Sequence, residues 1–295
     1  MSMFSTRWSG PSRRSGRGDG GLDRFLAQRA GVAGAVVLAV AAVVAVIAPL
    51  LIPADALDVT RVTDAPWQAP GAGHWLGTDH TGRSVALLVV EGAGTSLFVG
   101  LTAAVLAVGI GTLVGIVSGH FGGLAAGALL RVTDFFLVLP ALVLAIALST
   151  VLPRGLGTIV LAIGLTSWPS TARMVRAQTL TIEARPFVER ARALGGGHGH
   201  VIGRHVLPSV VPLVLVNATL AVASAIVAES TLAFLGLGDP TRISWGAMLH
   251  QAQLHGAVPQ RAWWFLLPPG LAIVVVVLAF TLVGRALEAV VTPKR

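Results

Sequence analysis

Cysteine and tyrosine are absent from this sequence, and lysine occurs once, at Lys294. Without cysteine there is no disulfide framework and no thiolate metal site. With its single lysine beside the last residue, the chain has no G-x-x-x-x-G-K-[ST] phosphate loop, which excludes the usual mode of ATP binding. There is no H-E-x-x-H pair of zinc ligands either. Charge is scarce: 12% of residues are charged, against about 25% in a soluble domain.

What is present is apolar. Hydrophobic residues make up 54% of the chain, and the mean hydropathy is +0.80. Such a chain cannot cover itself with polar surface in water, whereas in lipid apolar side chains are the proper outside. The net charge of +8 does not indicate nucleic-acid binding. The basic residues are not interleaved with aromatics on a polar domain but flank apolar runs.

Six such runs are expected to span a membrane as helices, at about 20 residues per crossing. They are Gly31 to Ile52, Ser96 to Ser118, Leu124 to Leu152, Leu156 to Leu180, Pro208 to Leu235 and Trp263 to Val283. The first competes with a signal-peptide reading, because Ala54-Asp55-Ala56 resembles a cleavage site. The run exceeds the usual h-region of about 7–15 residues, so an uncleaved helix is expected. Trp168-Pro169 should kink the fourth run. Arginine bias orients the bundle. Placing the amino terminus inside puts Arg7, Arg13, Arg14, Arg17 and the Arg185–Arg204 loop on the cytoplasmic side, with both termini.

Within the second run Gly111, Gly115 and Gly119 recur every fourth residue, which marks a helix-packing face. Arg131 and Asp134 stand three apart and are expected to pair. Ionisable and polar groups at membrane depth are candidates for a translocation path. Glu229, Asn217 and Trp168 are the candidates here. Glu229 has a bland alternative, a buried carboxyl bonded to Ser224 or Ser230. The histidines His198, His200 and His205 follow spacing i, i+2, i+7 in a glycine-rich stretch and read as a solvated linker, so no metal site is expected.

The polar loop from Glu183 to about Val206 is the informative one. Pro186 suits the first position of a helix and Gly195 the position just past its end. Phe187, Val188, Ala191 and Leu194 share one face of that short helix, and Arg185, Glu189 and Arg192 another. A helix of under three turns is unstable alone in water, so its apolar face needs a receiver.

The stretch Phe187-Val188-Glu189-Arg190-Ala191-Arg192-Ala193-Leu194-Gly195, followed by Arg204-His205-Val206-Leu207-Pro208, resembles the EAA loop of ABC importer permeases. Glu189, Ala191, Gly195, Leu207 and Pro208 match its pattern, and Arg190 replaces the usual alanine. Leu76-Gly77-Thr78-Asp79-His80-Thr81-Gly82-Arg83 is similar to a signature of the dipeptide/oligopeptide/nickel branch, with Ser84 in place of an Asp. Asp134-Phe135-Phe136 before Pro140, Phe234-Leu235-Gly236-Leu237-Gly238 and Ser244-Trp245-Gly246-Ala247-Met248-Leu249 look like the same branch. The likeness covers about Leu76 to Pro293 and leans to the second, "C"-type permease. Asp79 should cap the segment leading into the second run.

The resemblance implies an all-α integral membrane fold with six spans and a cytoplasmic coupling helix, Pro186 to Leu194. Composition and the apolar runs themselves lead to the expectation of a disordered cytoplasmic tail over residues 1–30, an extracytoplasmic segment over 53–95, a five-helix core over 96–292 containing the coupling loop 183–206, and a cytoplasmic end at 293–295. The implied partners are a homologous permease, two ATPase domains that bind ATP and Mg, a substrate-binding protein and membrane lipid. The implied cargo is short peptides, with nickel chelates, haem or glutathione as alternatives. An intramembrane enzyme is disfavoured because no histidine lies within the apolar runs. A secondary transporter, which would show inverted repeats and intramembrane charges, is the rival of another class.

Overall fold

The computed structural model describes residues 21–291. The basic stretch 1–20 and the end 293–295 lie outside the described residues. The described residues are helical, with short turns and loops and no strand. The tail expected to run to residue 30 already contains helix α1 (Gly21–Leu26), and α2 begins at Arg29.

α2 (Arg29–Leu51) lies along α11 (Trp263–Val291). Leu50, Val46 and Val40 point outward from it, as suits a helix facing lipid. A loop from residue 52 to 84 leads to α3 (Val85–His120). α3 starts well before the expected Ser96, because Val85 and Leu88 are fully buried in the main core and extend the helix into the loop region. At 36 residues it is about 54 Å long, more than a bilayer core of about 30 Å requires.

The expected third span is two helices, α4 (Gly123–Val138) and α5 (Ala141–Val151), bent by 90°. The cause is Pro140. It disfavours helical backbone at the residue before it, and Leu139 is extended (φ −79°, ψ 132°). α6 (Leu156–Glu183) runs through Pro169 as one helix, with Trp168 and Pro169 both buried. Among the described residues four helices are long and apolar enough to cross a membrane, or five if the bent pair counts as one span. α6, the expected fourth span, is long enough, but Arg173, Arg176 and Glu183 make its second half polar.

After α6 come the short helices α7 (Pro186–Ala193) and α8 (His198–Val201). A π-turn over Ile202–Val206 joins α8 to α9 (Leu207–Phe234). α10 (Trp245–Leu254) caps the end of the bundle where α9 finishes, and α11 follows.

α3 packs chiefly on α6 and then on α9. Lipid competes for apolar contacts, so membrane helices associate through small residues that let backbones approach. Gly111, Gly115 and Gly119 lie where α6 crosses, facing Thr171, Val175 and Thr179 in turn. A Cβ on Gly115 would stand 2.7 Å from both the Ala172 carbonyl and the Val175 Cβ. Two apolar clusters result. The larger joins Val99, Ile159, Ile163, Ile226 and Phe265. The smaller, at the other end, joins Ile116, Val175, Ile182, Val188, Val201 and Val210.

The expected Arg131–Asp134 pair does not form. Asp134 instead meets Arg173 of α6 at 3.5 Å, because the neighbouring helix brings a guanidinium within reach. That pair is exposed and contributes little to stability.

Replacing Gly115 with Val should separate α3 from α6 and cost roughly 1–3 kcal/mol. Thermal unfolding in detergent should show a lowered midpoint, while Gly109→Ala, whose added methyl would meet nothing within 4 Å, should not.

Candidate functional site

α7 is built as the sequence suggests. Arg185 is extended (φ −84°, ψ 140°), Pro186 opens the helix, and Gly195 closes it with φ +87°. The amides of Gly195 and Gly196 return to the carbonyls of Arg192 and Ala191, both at 2.9 Å. This left-handed closure terminates the helix and uses carbonyls that would otherwise be orphaned. Of its apolar residues only Val188 is buried, in the smaller cluster. Phe187 is 46% exposed and Leu194 89% exposed. The helix therefore carries uncovered apolar side chains, while Glu189 and Arg190 also point to solvent.

Arg192 does not stand free on the polar face. Its guanidinium pairs with Glu183, the last residue of α6. The other oxygen of Glu183 lies 2.5 Å from Nδ1 of His120, the last residue of α3. His120 Nε2 is 2.8 Å from Nδ1 of His198. With its Nδ1–H given to the carboxylate, a neutral His120 accepts from the His198 Nδ1–H. His198 is thus tied to the bundle rather than part of a solvated linker. Among the described residues no group of His, Asp and Glu has the arrangement of a metal site.

The three residues expected along a translocation path are not brought together. Glu229 is buried, and its carboxylate accepts from Ser96 and Ser230, each at 3.2 Å. The Ser96 oxygen in turn accepts from the Trp245 amide at 3.2 Å. Ser230 is one of the two expected partners. Ser224 is the other, and it instead lines a cavity of about 140 Å³ with Asn217, Thr171, Ser167 and Ser170. Asn217 donates to Thr171 Oγ1 at 2.9 Å. Trp168 is buried and packs on Phe136, ring centroids 5.6 Å apart. Sequence reasoning missed Ser96, His120 and Glu183. Glu183 and His120 were legible only as the polar ends of apolar runs.

At the opposite end the Leu76–Arg83 stretch folds around two buried residues. Thr78 Oγ1 donates to the Ala65 carbonyl and accepts from the Gln68 amide, both at 2.8 Å. Asp79 is not the cap of α3, since Ser84 occupies that position. Its carboxylate instead accepts from the Thr81 and Arg83 amides at 2.8 and 2.9 Å, and Arg83 Nε and Nη2 reach it at 2.9 and 2.8 Å. A cleft of about 580 Å³ opens beside this loop, rimmed by His80, Arg83, Arg154, Asp239, Arg242 and His250. His80 stacks on His255 of the residues following α10, centroids 3.6 Å apart and planes within 10°.

The family model for the "binding-protein-dependent transport system inner membrane component" matches residues 111–295. The chain belongs to this family. It is the permease, the membrane component, of an ABC importer. The permease is 37% identical over 287 residues to a Brucella suis protein named as a peptide permease, covering 97% of this chain and 92% of the relative. It is 36% identical to a Brucella suis protein named as a peptide transport system permease, over 92% and 90% of the two chains. A glutathione transport system permease protein of Pectobacterium atrosepticum is 33% identical, over 92% and 89%.

Burial pushes the His80 imidazole below the ordinary histidine range, outweighing the nearby Asp79 carboxylate; His255 and Arg83 act in the same direction as burial. The neutral ring is the form that fits. Its contribution is present above its unfolded value of 6.5 and is lost as pH falls through the lower folded value. Unfolding midpoints should therefore drop on acidification below about 6.5, and His80→Phe should flatten that part of the profile. Asp79→Ala should free the loop, seen as faster amide exchange at Thr81 and Arg83.

Proposed function

We propose that this permease pairs with a homologous permease and forms with it the path by which short peptides cross the inner membrane. Two ATPase domains on partner subunits bind ATP and Mg and hydrolyse it. This chain performs no covalent chemistry. The observation that carries the reading is α7, a helix too short to stand alone, pinned at one end of the bundle by Val188 and presenting Phe187 and Leu194 outward. Pro186, Glu189, Arg190, Ala191 and Gly195 complete the surface that an ATPase groove would receive.

Arginine bias supports placing that end, and both chain termini, in the cytoplasm. The cleft at the other end then faces outward, where a substrate-binding protein would release its cargo. Arg154 and Arg242 on its rim suit the carboxylate of a peptide. The relatives named for peptide transport support peptide cargo. The relative named for glutathione supports a second reading within the same chemistry, since glutathione is itself a small carboxylate-bearing peptide.

A gentle detergent pull-down of the tagged chain should recover a second permease and phosphate-loop subunits, with ATP hydrolysis. Recovery of the chain alone in several lipids would favour an ATP-independent transporter. At Gly195 the left-handed backbone costs a β-branched residue roughly 1–3 kcal/mol, although an added Cβ would meet nothing within 4 Å. Gly195→Val should thus fray α7 and lower ATPase recovery, with the chain still inserted. Unchanged recovery and uptake would remove the docking role assigned to α7.

A further inference from the structure

Three observations meet at the foot of α7. First, the helix is weakly moored by packing. It has eight residues, one fully buried side chain, and a connection to α6 of only Ala184 and Arg185. Phe187 adds a contact with the His205 ring, centroids 5.6 Å apart, so the packing of α7 is confined to its first turn. Second, Glu183 sits beside that connection with its side chain 10% exposed, and it divides its two oxygens between two elements. One meets His120 at the end of α3, whose side chain is fully buried, and the other meets Arg192 on α7. Third, His120 passes the connection to His198, the first residue of the helical run that continues into α9. One carboxylate thus ties α3, α6 and α7 together and reaches α9 through a second imidazole.

We propose that Glu183 is a positioning residue that fastens the coupling helix to α3 and α6, so that α7 and these two helices move as one body. The proposal rests on the reading of α7 as the helix engaged by the ATPase. A push on Leu194 would turn a helix whose packing lies in its first turn, at Val188 and Phe187. With Arg192 anchored as well, the helix has two separated attachments and cannot pivot. Hydrogen bonds to an ionised carboxylate are stronger than neutral ones, and partial burial of Glu183 shields them from water. Arg192 is half exposed, so the pair adds little to global stability. Its consequence is geometric, and a substitution there should alter motion more than folding.

The absence of cysteine allows a direct test. Ala193→Cys places a spin label on the exposed end of α7, off the residues assigned to docking, and Gly157→Cys places one at the far, exposed end of α6. The distance distribution between them is recorded in lipid nanodiscs for the chain with its co-purified ATPase subunits, without nucleotide and with ATP and vanadate. The parent should give one narrow distribution that nucleotide does not shift. Glu183→Gln should broaden it and make it move with nucleotide, at an unchanged unfolding midpoint. Arg192→Lys, which keeps the charge, should stay narrow, and Arg192→Gln should broaden. Combining Glu183→Gln with Arg192→Gln should broaden it no further than either alone, because both remove the same link. A narrow, nucleotide-insensitive distribution in Glu183→Gln would overturn the proposal, as would a parent distribution that shifts with nucleotide. If no ATPase subunit accompanies the chain, the coupling reading of α7 fails. The comparison of parent with Glu183→Gln in the chain alone then still decides the link.

Discussion

Apolar side chains in a membrane gain little by leaving lipid for one another, so the close approach of α3 to α6 is what this bundle depends on. Gly111, Gly115 and Gly119 take three side chains out of the line of crossing, and backbone meets Thr171, Val175 and Thr179 directly. The contact is tight along the second half of α3 and continues to the ends of both helices. His120 and Glu183 are those ends, and they come within 2.5 Å of each other. The three glycines thus set how closely α3 and α6 approach above the point where α7 attaches.

Polar groups inside the bundle obey a second constraint, since an unpaired polar group in an apolar interior costs several kcal/mol. Glu229 is satisfied by Ser96 and Ser230, and Ser96 carries the connection to the Trp245 amide. This joins α9, α3 and the short α10, so the carboxylate organises the end of the bundle beside the rimmed cleft. Asn217 borders a separate small cavity, bonded to Thr171.

The two ends of the bundle are built differently. Around Asp79 a buried carboxylate gathers backbone amides and one arginine and makes a rigid loop. Around Glu183 a carboxylate gathers side chains from separate helices and fastens their ends together.

The sequence by itself determined that the chain lies in a membrane, that its regular structure is helical, and that a short helix runs from Pro186 to the Gly195 stop. These are local or bulk properties, set by apolar run length, proline at a helix start and glycine with positive φ. The glycine stripe was legible because helical periodicity alone puts every fourth residue on one face. Tertiary structure decided the rest. It carried α3 back to Val85, exchanged Arg131 for Arg173 beside Asp134, and drew His120, Glu183, Arg192 and His198 into one network. Each of these depends on residues far apart in the chain meeting in space, and a pairing of that kind leaves no periodicity to read.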